Sequence, residues 1–480
     1  MYTTNARHDE GKDPRLAQLE RQILAALAER GDKAETDDAL GDTASWLLHE
    51  ALAGHNVESI AAESTSHVFG FGGAVRSCAT FFPQREAWRE QLQQLPKNFR
   101  VNRVGLGISS LGGLGAIVLG FVDLQLEPIS PTLELGQSLK VSGSVSTGFK
   151  STTVYVQKPD GTVDEHAAAD TRLDLTLEPQ VAGEYRVEVM GDGPGGPVVL
   201  TNLPVFVGLP ATGPASIAGK MLPPEQAELR LLELLNAARQ DMKLAPLVTD
   251  AQLRLLALSH TTEMRDQHFF AHTSPTTGTT DERFQRSGIA VSLFGEDIVL
   301  AGSPEGAHQG LMTSPGHRVA MISPDFTHVG IGVLESNGQL LATYHFGRRP
   351  GPEAVPSSAA QVVATISALR TGKGLPEIHN HPAFAAAAAA GAKALAKGAD
   401  GKKVARVVGQ IVQSQVDNGV FEPLTYCIYQ EDLLEAEQLK ASKALMRPTL
   451  RRVGVGVQRH DTPAGLRAAT VFLVDGPECE

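Results

Sequence analysis

The chain has 480 residues, an apolar fraction of 42% and a formal net charge of −12. Its length exceeds what one hydrophobic core supports and its composition is that of folded protein, which excludes a disordered chain and predicts several domains. The negative charge and the scattered Lys and Arg residues exclude nonspecific nucleic-acid binding, because binding to phosphates needs clustered basic residues.

The first part of the chain predicts helices followed by a β-hairpin. Residues 15–53 place apolar side chains at spacings of three and four, which is the period of amphipathic helices. A short helix is expected at 86–95 and two strands at 103–126. The sequence as given begins without the apolar core of a secretion signal. It therefore leaves both a cytoplasmic and a processed, exported chain open.

The uncharged stretch 104–122 is the nearest approach to a membrane span. It contains six glycines, and its RVGLGI segment matches HVGIGV at 328–333 and RVGVGV at 452–457. The two later stretches carry polar and charged residues between their apolar runs. We therefore predict a hairpin here and no transmembrane segment.

From residue 129 the pattern changes to short alternating strands. Turn signals separate them, such as PDG at 159–161 and GDGPGG at 191–196. This pattern predicts a small β-sandwich at 129–209 that resembles immunoglobulin-like modules but lacks their cysteine pair. No residue of this module is predicted to carry chemistry.

Helical periodicity returns at 223 and defines a segment that ends near 350. Two helices come first, a short helix is expected at 305–312, and a hairpin with a Ser-Asn-Gly turn comes last. Between them lie AHTSP at 271–275, GEDI at 295–298 and SPGHR at 314–318. Gly, Pro and Ser build rigid turns. This is the part of the sequence that looks like a site.

The tail, 351–480, repeats the plan of the segment before it. Residues 362–395 align on 231–264 without a gap, and the glycine hairpin motif recurs near 104, 330 and 454. Three copies of one plan are therefore predicted. The alanine run at 383–390 is expected to be a packed helix, because Ala is the best helix former. The aligned pairs are Ala368 with Ala237, Arg370 with Arg239, and Leu375 with Leu244.

The candidate site residues are His272, Glu296 and His317. Two neutral imidazoles and a carboxylate can bind Zn²⁺ or another divalent cation and leave a position for water, which is the minimum for metal-assisted hydrolysis. The alternative is a hydrogen-bonded network that only holds two loops in place. Ser274 and Ser314 lie close to histidines in sequence, but serines beside Pro more often cap turns and helices than act as nucleophiles.

The motifs LNAAR, FFAHTSP, GEDI, SPGHR and PDFTHVGIGV, in this order, resemble the CAP superfamily. That group comprises cysteine-rich secretory proteins, antigen 5 and pathogenesis-related 1 proteins, and the bacterial SCP-like branch is the most similar. The resemblance implies an α-β-α sandwich with an open cleft. In that cleft His272 and His317 match the two histidines and Glu296 the acidic residue, while Arg283, Ser314 and Arg318 match supporting positions.

The sequence also departs from the family. GED replaces the usual GEN, and the further Glu of animal members is absent, since Thr313 and Ser314 occupy that ground. The flanking copies lack the histidine pair, so neither is expected to carry the same chemistry. Three cysteines cannot form a disulfide framework; free thiols are expected at Cys78 and Cys427, with a disulfide between the two as the alternative.

These features lead to an α+β architecture of four modules: a degenerate CAP-like copy at 1–128, the sandwich at 129–209, a CAP domain at 223–350 and a degenerate copy at 351–480. The favoured function is a non-catalytic, extracytoplasmic binding protein whose cleft holds a divalent metal and whose grooves take a lipid, a peptide or a cell-envelope partner. One alternative is a metal-dependent, peptidase-like hydrolase that uses Glu296 as general base. Another is a structural interaction scaffold.

Overall fold

The chain folds into mixed α and β structure with five sheets in the described residues. The computed structural model describes residues 1–2, 14–55, 59–83, 85, 87–109, 113–168, 171–213, 219–349, 351, 354–419, 425–462 and 465–475. Two compact units are present. One comprises Met1–Ser287 with Gly295–Phe346, and the other comprises Gly288–Phe294 with Gly347–Glu480.

The amino-terminal segment packs helices on both faces of a four-stranded sheet of order β1-β3-β4-β2. Residues of α1 and α4 share one core with Val104 and Leu119, and residues of α2 and α3 share another with Val118. The elements are α1 Pro14–Arg30, β1 Glu35–Thr36, α2 Asp38–Leu52, α3 Ser59–Val68, β2 Ala74–Phe81, α4 Ala87–Gln93, β3 Arg103–Ile108 and β4 Gly115–Phe121.

The next segment consists of two sheets around a shared core, of orders β10-β7-β5 and β6-β12-β11-β8-β9. Val141 from the first sheet and Val154, Val187 and Leu203 from the second belong to this core. The strands are β5 Leu124–Leu126, β6 Thr132–Leu133, β7 Leu139–Val145, β8 Thr152–Gln157, β9 Val163–Ala167, β10 Arg172–Leu177, β11 Gly183–Gly193 and β12 Gly196–Val207. The expected strands are therefore present.

The motif-bearing segment contains a sheet of order β13-β15-β16-β14, with α5 and α6 packed on β15. The predicted Ser-Asn-Gly reversal is confirmed, with φ of 52° at Asn337 and 74° at Gly338. The elements are α5 Pro224–Asp241, β13 Val248–Thr249, α6 Ala251–Gln267, α7 Thr280–Ser287, β14 Leu293–Ala301, α8 Pro304–Thr313, α9 Pro315–Met321, β15 His328–Ser336 and β16 Gln339–Arg348.

The carboxy-terminal segment contains a sheet of order β17-β19-β20-β18 between two helical layers. Val474 belongs to a core with α10, whereas Val471 belongs to a core with α11 and α12. The alanine run lies in α11, as predicted. The elements are α10 Ala359–Gly372, β17 His379–Asn380, α11 Pro382–Leu395, α12 Gly401–Asp417, β18 Tyr426–Leu433, a 3₁₀ helix Ala436–Ala441, β19 Arg452–Thr462 and β20 Gly465–Asp475.

Three of these sheets therefore have the same strand order, and each begins with a two-residue strand parallel to its neighbour. The glycine hairpin motif explains how a helix lies so close to each sheet. A Cβ at Gly105 would come within 1.9 Å of the Leu40 backbone, and one at Gly330 within 2.0 Å of the Arg254 nitrogen. At Gly456 it would come within 2.1 Å of Ala388.

The aligned arginines occupy equivalent places. Arg239 is 1% exposed, and its Nε donates to the Ala245 carbonyl at 3.0 Å. Arg370 is 0% exposed, and its Nε donates to the Pro376 carbonyl at 2.9 Å. Each guanidinium also donates to a carbonyl later in the chain: Arg239 to that of Met321, and Arg370 to that of Leu445. The gapless alignment thus pairs residues that make the same contacts.

Two expectations about particular residues have clear outcomes. Within 104–122 the described residues form the antiparallel pair β3 and β4, so the predicted hairpin is confirmed. None of the helices in the described ranges combines the length and apolar character needed to cross a bilayer. Cys78 is a free thiol as expected, but Cys427 is disulfide-bonded, so its expected free thiol was wrong. Cys479 lies outside the described residues.

Candidate functional site

The first histidine is positioned by the end of α6 and a tight turn. Helix α6 ends at Gln267, and His268 takes a left-handed conformation with φ of 55° that turns the chain away. Ser274 Oγ accepts the backbone N–H groups of Thr276 and Thr277, at 3.0 and 2.9 Å. Its hydroxyl therefore holds the turn after His272. This arrangement supports the turn interpretation of Ser274 rather than a nucleophile.

Glu296 on β14 is the centre of the site. Its Oε1 accepts from His272 Nδ1 at 2.9 Å and from Thr280 Oγ1 at 2.9 Å. Its Oε2 accepts from His345 Nε2 at 2.7 Å and from Arg283 Nη2 at 2.5 Å. The side chains of Glu296, Arg283 and His345 are 2%, 3% and 0% exposed. Both carboxylate oxygens are therefore occupied by donors in a nearly dry environment.

This environment keeps Glu296 ionised. Burial alone would raise its pKa, but hydrogen bonds from His272 and His345 hold the pKa well below the usual value of a glutamic acid. Arg283 also donates through Nη1 to the carbonyl oxygens of His272 and Gly278. A single guanidinium thus braces the first histidine loop against the carboxylate.

The second histidine lies in the first turns of α9. Ser314 is the N-cap residue of this helix, yet its side chain makes no capping hydrogen bond, so the expected capping role of its hydroxyl was wrong. Instead Ser314 Oγ lies 2.7 Å from His317 Nδ1 and 2.5 Å from Glu188 Oε2. Burial lowers the pKa of His317 to about 3, helped by the nearby His272. The ring is therefore neutral near pH 7.

Glu188 reaches this site from the sandwich strand β11. Its Oε1 accepts the Gly316 backbone N–H at 2.7 Å, and the residue is 0% exposed. Burial raises its pKa to about 7, against the hydrogen bonds from Ser314 and Gly316, which lower it. The sandwich also touches the first histidine loop, because Thr273 N–H donates to the Gly195 carbonyl at 2.9 Å.

A metal ion would find two imidazole nitrogens here. The Nδ1 atoms of His272 and His317 are occupied by Glu296 and Ser314, and no contact in the described residues engages either Nε2 atom. Those Nε2 atoms are the donors that a divalent cation would use. Glu296 is saturated by its four donors, which favours an orienting role over a ligand role. Within the described ranges no group of three or more His, Cys, Asp or Glu side chains has a metal-binding arrangement.

The two histidines also line a cavity of about 690 Å³. Its wall is formed by the amino-terminal segment, the sandwich and the motif-bearing segment, and most of its side chains are apolar. Such a volume is within the range of about 300–1,000 Å³ that small-molecule sites usually have. The cavity-lining side chains include Phe99, Phe121, Phe149, Val198, Phe270, Ile298 and Leu311.

The structure brings the three candidate residues to one region, and Arg283 and Ser314 contact them directly. Arg318 does not; its Nε donates to the Gly161 carbonyl of the sandwich at 2.9 Å. Sequence reasoning missed His345, Thr280 and Glu188. His345 follows Thr343 and Tyr344 in the buried strand β16, where an ionisable side chain is a signal of an inward-facing role. Glu188 gives no such signal.

The comparisons with known proteins agree with the motifs. Residues 232–346 match the family model described as "CAP: Cysteine-rich secretory protein family". YkwD, an uncharacterized protein of Bacillus subtilis (strain 168), is 37% identical over 110 residues, which are 23% of this chain and 43% of YkwD. YlbC, an uncharacterized membrane protein of the same organism, is 31% identical over 109 residues, 22% of this chain and 31% of YlbC. The chain thus spans less than half of either relative.

A solved structure is also similar. An extracellular protein containing a SCP domain from Bacillus anthracis str. Ames is 18% identical, with a TM-score of 0.25 over 47% of this chain and 88% of that protein.

Proposed function

We propose that this chain, whose residues 232–346 are a domain of the cysteine-rich secretory protein (CAP) family, is a non-catalytic extracytoplasmic binding protein. The observation that carries the proposal is the cavity of about 690 Å³ that has His272 and His317 in its wall. Its wall combines apolar side chains with charged ones, among them Arg76, Lys97 and Arg100, and such a mixed lining suits an amphipathic ligand such as a lipid or a peptide. The extracytoplasmic location rests on the family.

The hydrogen bonds argue against a hydrolase. A general base needs a free lone pair and a pKa near the working pH. Glu296 has neither, because four donors surround it and its pKa is held well below the usual value. Ser314 is no better as a nucleophile. In a catalytic triad the carboxylate contacts the histidine nitrogen that faces away from the serine, whereas here Glu188 contacts Ser314 itself.

The same cleft would hold a divalent cation such as Zn²⁺ through the Nε2 atoms of His272 and His317. Glu296 orients the first ring, and the serine beside His317 orients the second. Water or the ligand's own oxygen atoms would complete the coordination. A bound cation would supply a positive charge for an anionic or carbonyl group of the ligand.

We further propose the module boundaries 1–128, 129–209, 223–350 and 351–480, with the first and last as degenerate copies of the CAP domain and the second as an immunoglobulin-like sandwich. The common strand order of three sheets, the glycine contacts and the aligned Arg239 and Arg370 support the copies. Copies that keep the fold without the histidine pair suit an interaction scaffold around one binding site.

Two titrations test the binding function separately. The first is calorimetry of Zn²⁺ with chelator-treated protein near pH 7.5, for which we expect one-to-one binding that His272→Ala/His317→Ala abolishes. The second is titration with a fluorescent fatty acid. Val198→Trp would place a bulky ring in the cavity and should weaken fatty-acid binding, whereas Val181→Trp, at a 59% exposed position of the same sandwich, should not.

The outcomes are distinct. Absence of zinc binding in the wild type would remove the metal from the proposal. Equal fatty-acid binding by the Val198 and Val181 variants would remove the cavity as the ligand site. Hydrolysis of peptide or ester substrates that disappears in the histidine double variant would instead establish the hydrolase alternative.

A further inference from the structure

Glu188 stands on the face of β11 that should be exposed to solvent. Its neighbours Val187 and Val189 point into the sandwich core, and side chains alternate along a strand. Glu188 is nevertheless 0% exposed, because the outer face of this sheet packs against the start of α9. A Cβ at position 316 would come within 2.8 Å of Glu188 Oε1, so glycine is what allows the carboxylate to approach the helix backbone.

The hydrogen bonds from this carboxylate to the second histidine form one chain. Gly316 N–H donates to Oε1 at 2.7 Å, and Ser314 Oγ donates to Oε2 at 2.5 Å. A serine hydroxyl has one proton to give. Once that proton points to the carboxylate, the serine oxygen can only accept from His317 Nδ1, which lies 2.7 Å away. Nδ1 of the ring must then carry the proton, and Nε2 has a free lone pair.

We infer that Glu188 is a positioning residue that fixes the tautomer of His317 through Ser314, so that the cleft is complete only with a carboxylate supplied by the sandwich. The inference rests on the proposed metal-binding function of the cleft. The family's further acidic residue is absent from the local sequence, where Thr313 and Ser314 stand. The neighbouring sandwich supplies a carboxylate that reaches His317 through Ser314.

Replacement of one oxygen tests this directly. In Glu188→Gln, the Gly316 N–H requires an acceptor, so the amide oxygen stays at the Oε1 position and the amide nitrogen faces Ser314. That nitrogen donates to Ser314 Oγ, and the serine proton then turns to His317 Nδ1. The direction of the whole chain is reversed, and the imidazole proton moves to Nε2.

The tautomer can be read by long-range ¹H–¹⁵N NMR of the histidine rings in chelator-treated protein at pH 8.5, where both Glu188 and His317 are in their basic forms. We expect the Nδ1–H form in the wild type and the Nε2–H form in Glu188→Gln. Glu184→Gln is the matched control, since Glu184 lies on the same strand, is 41% exposed and pairs with Arg186 at 2.8 Å. This control should keep the wild-type tautomer.

Zinc calorimetry on the same three proteins gives a second readout. Loss of an orienting partner lowers metal affinity by about 10–100-fold, and we expect this loss in Glu188→Gln and not in Glu184→Gln. Should Glu188→Gln fail to fold, Ser314→Ala removes the relay within the CAP domain, and we expect His317 to lose its Nδ1–H preference.

A wild-type ring in the Nε2–H form, or a tautomer that does not respond to Glu188→Gln, would overturn the inference. If Glu188→Gln reverses the tautomer but the wild type binds no zinc, the positioning role is supported and only the metal-binding function is refuted. The two failures are therefore distinguishable.

Discussion

Replacement of Glu296 by Gln should destabilise the CAP domain strongly. The carboxylate is 2% exposed and pairs with Arg283, which is 3% exposed, at 2.5 Å. The amide keeps nearly the same shape but removes the negative charge, so a buried guanidinium is left without its counter-charge. Removing one partner of a buried ion pair typically costs about 3–5 kcal/mol. We expect a cost in this range for Glu296→Gln.

The assay must report on this domain alone. Both tryptophans of the chain, Trp46 and Trp88, lie in the amino-terminal segment, so their fluorescence does not follow the CAP domain. Hydrogen exchange of the β14 amides, measured by mass spectrometry, gives the local free energy of opening. A loss of about 3–5 kcal/mol corresponds to roughly a hundred- to several-thousand-fold faster exchange. Glu225→Gln, at an exposed position of α5, is the control and should exchange as the wild type does.

A second substitution identifies the cause. Arg283→Met removes the unpaired charge, so Glu296→Gln/Arg283→Met should lose less stability than the sum of the two single variants. If Glu296→Gln exchanges as slowly as the Glu225 control, the ion pair does not stabilise the domain. Strict additivity in the double variant would mean that the two side chains act independently.

Three further predictions concern residues outside the histidine site. Gly456→Ala should unfold the carboxy-terminal segment at a lower urea concentration, because its Cβ would meet helix backbone at 2.1 Å, whereas Gly409→Ala, with nothing within 4 Å, should stabilise its helix by about 0.5–1 kcal/mol. Arg239→Lys and Arg370→Lys should each cost about 2–4 kcal/mol, measured by hydrogen exchange, since a compact ammonium cannot reach the separate carbonyls that each forked guanidinium contacts, three at Arg239 and four at Arg370; a smaller cost at only one site would argue against equivalent roles. Burial lowers the pKa of His67 to about 3, below the unfolded value of 6.5, so the unfolded state binds a proton first and stability present above pH 6.5 is lost on acidification. From pH 7.5 to 4.5, His67→Phe should therefore lose about 2–3 kcal/mol less stability than the wild type in urea unfolding followed by tryptophan fluorescence, and equal losses would contradict the buried neutral ring.

The sequence by itself determined several helices and strands and indicated a repeated plan, although it did not predict helices α7 and α12. Helical spacing, strand alternation and turn residues are local properties, and they predicted the hairpin at 104–122, the helix at 383–390 and the reversal at Asn337. The paired glycines of the hairpin motif were visible in three places. Because glycine has no Cβ, it allows the helix backbone to come this close to the sheet, and for that reason the contact can be read from the sequence.

The first layer of the site was also visible, because His272, Glu296 and His317 stand in motifs of unusual composition. The contacts that these three side chains make could not be predicted from the sequence. From the sequence, Glu296 could be either a metal ligand or an orienting group. In the structure His345 and Arg283 both donate to its Oε2 atom, and this favours the orienting role.

Only the tertiary structure showed which residues support the histidines from outside the motifs. Alternation on β11 places Glu188 outside the sandwich core, and a strand's pattern carries no information about what packs on its outer face. The docking of that sheet on α9 buries the carboxylate beside Ser314 and changes the serine from a helix cap into a link to His317. Contacts between residues more than a hundred positions apart depend on how whole modules pack, and no local spacing encodes that packing.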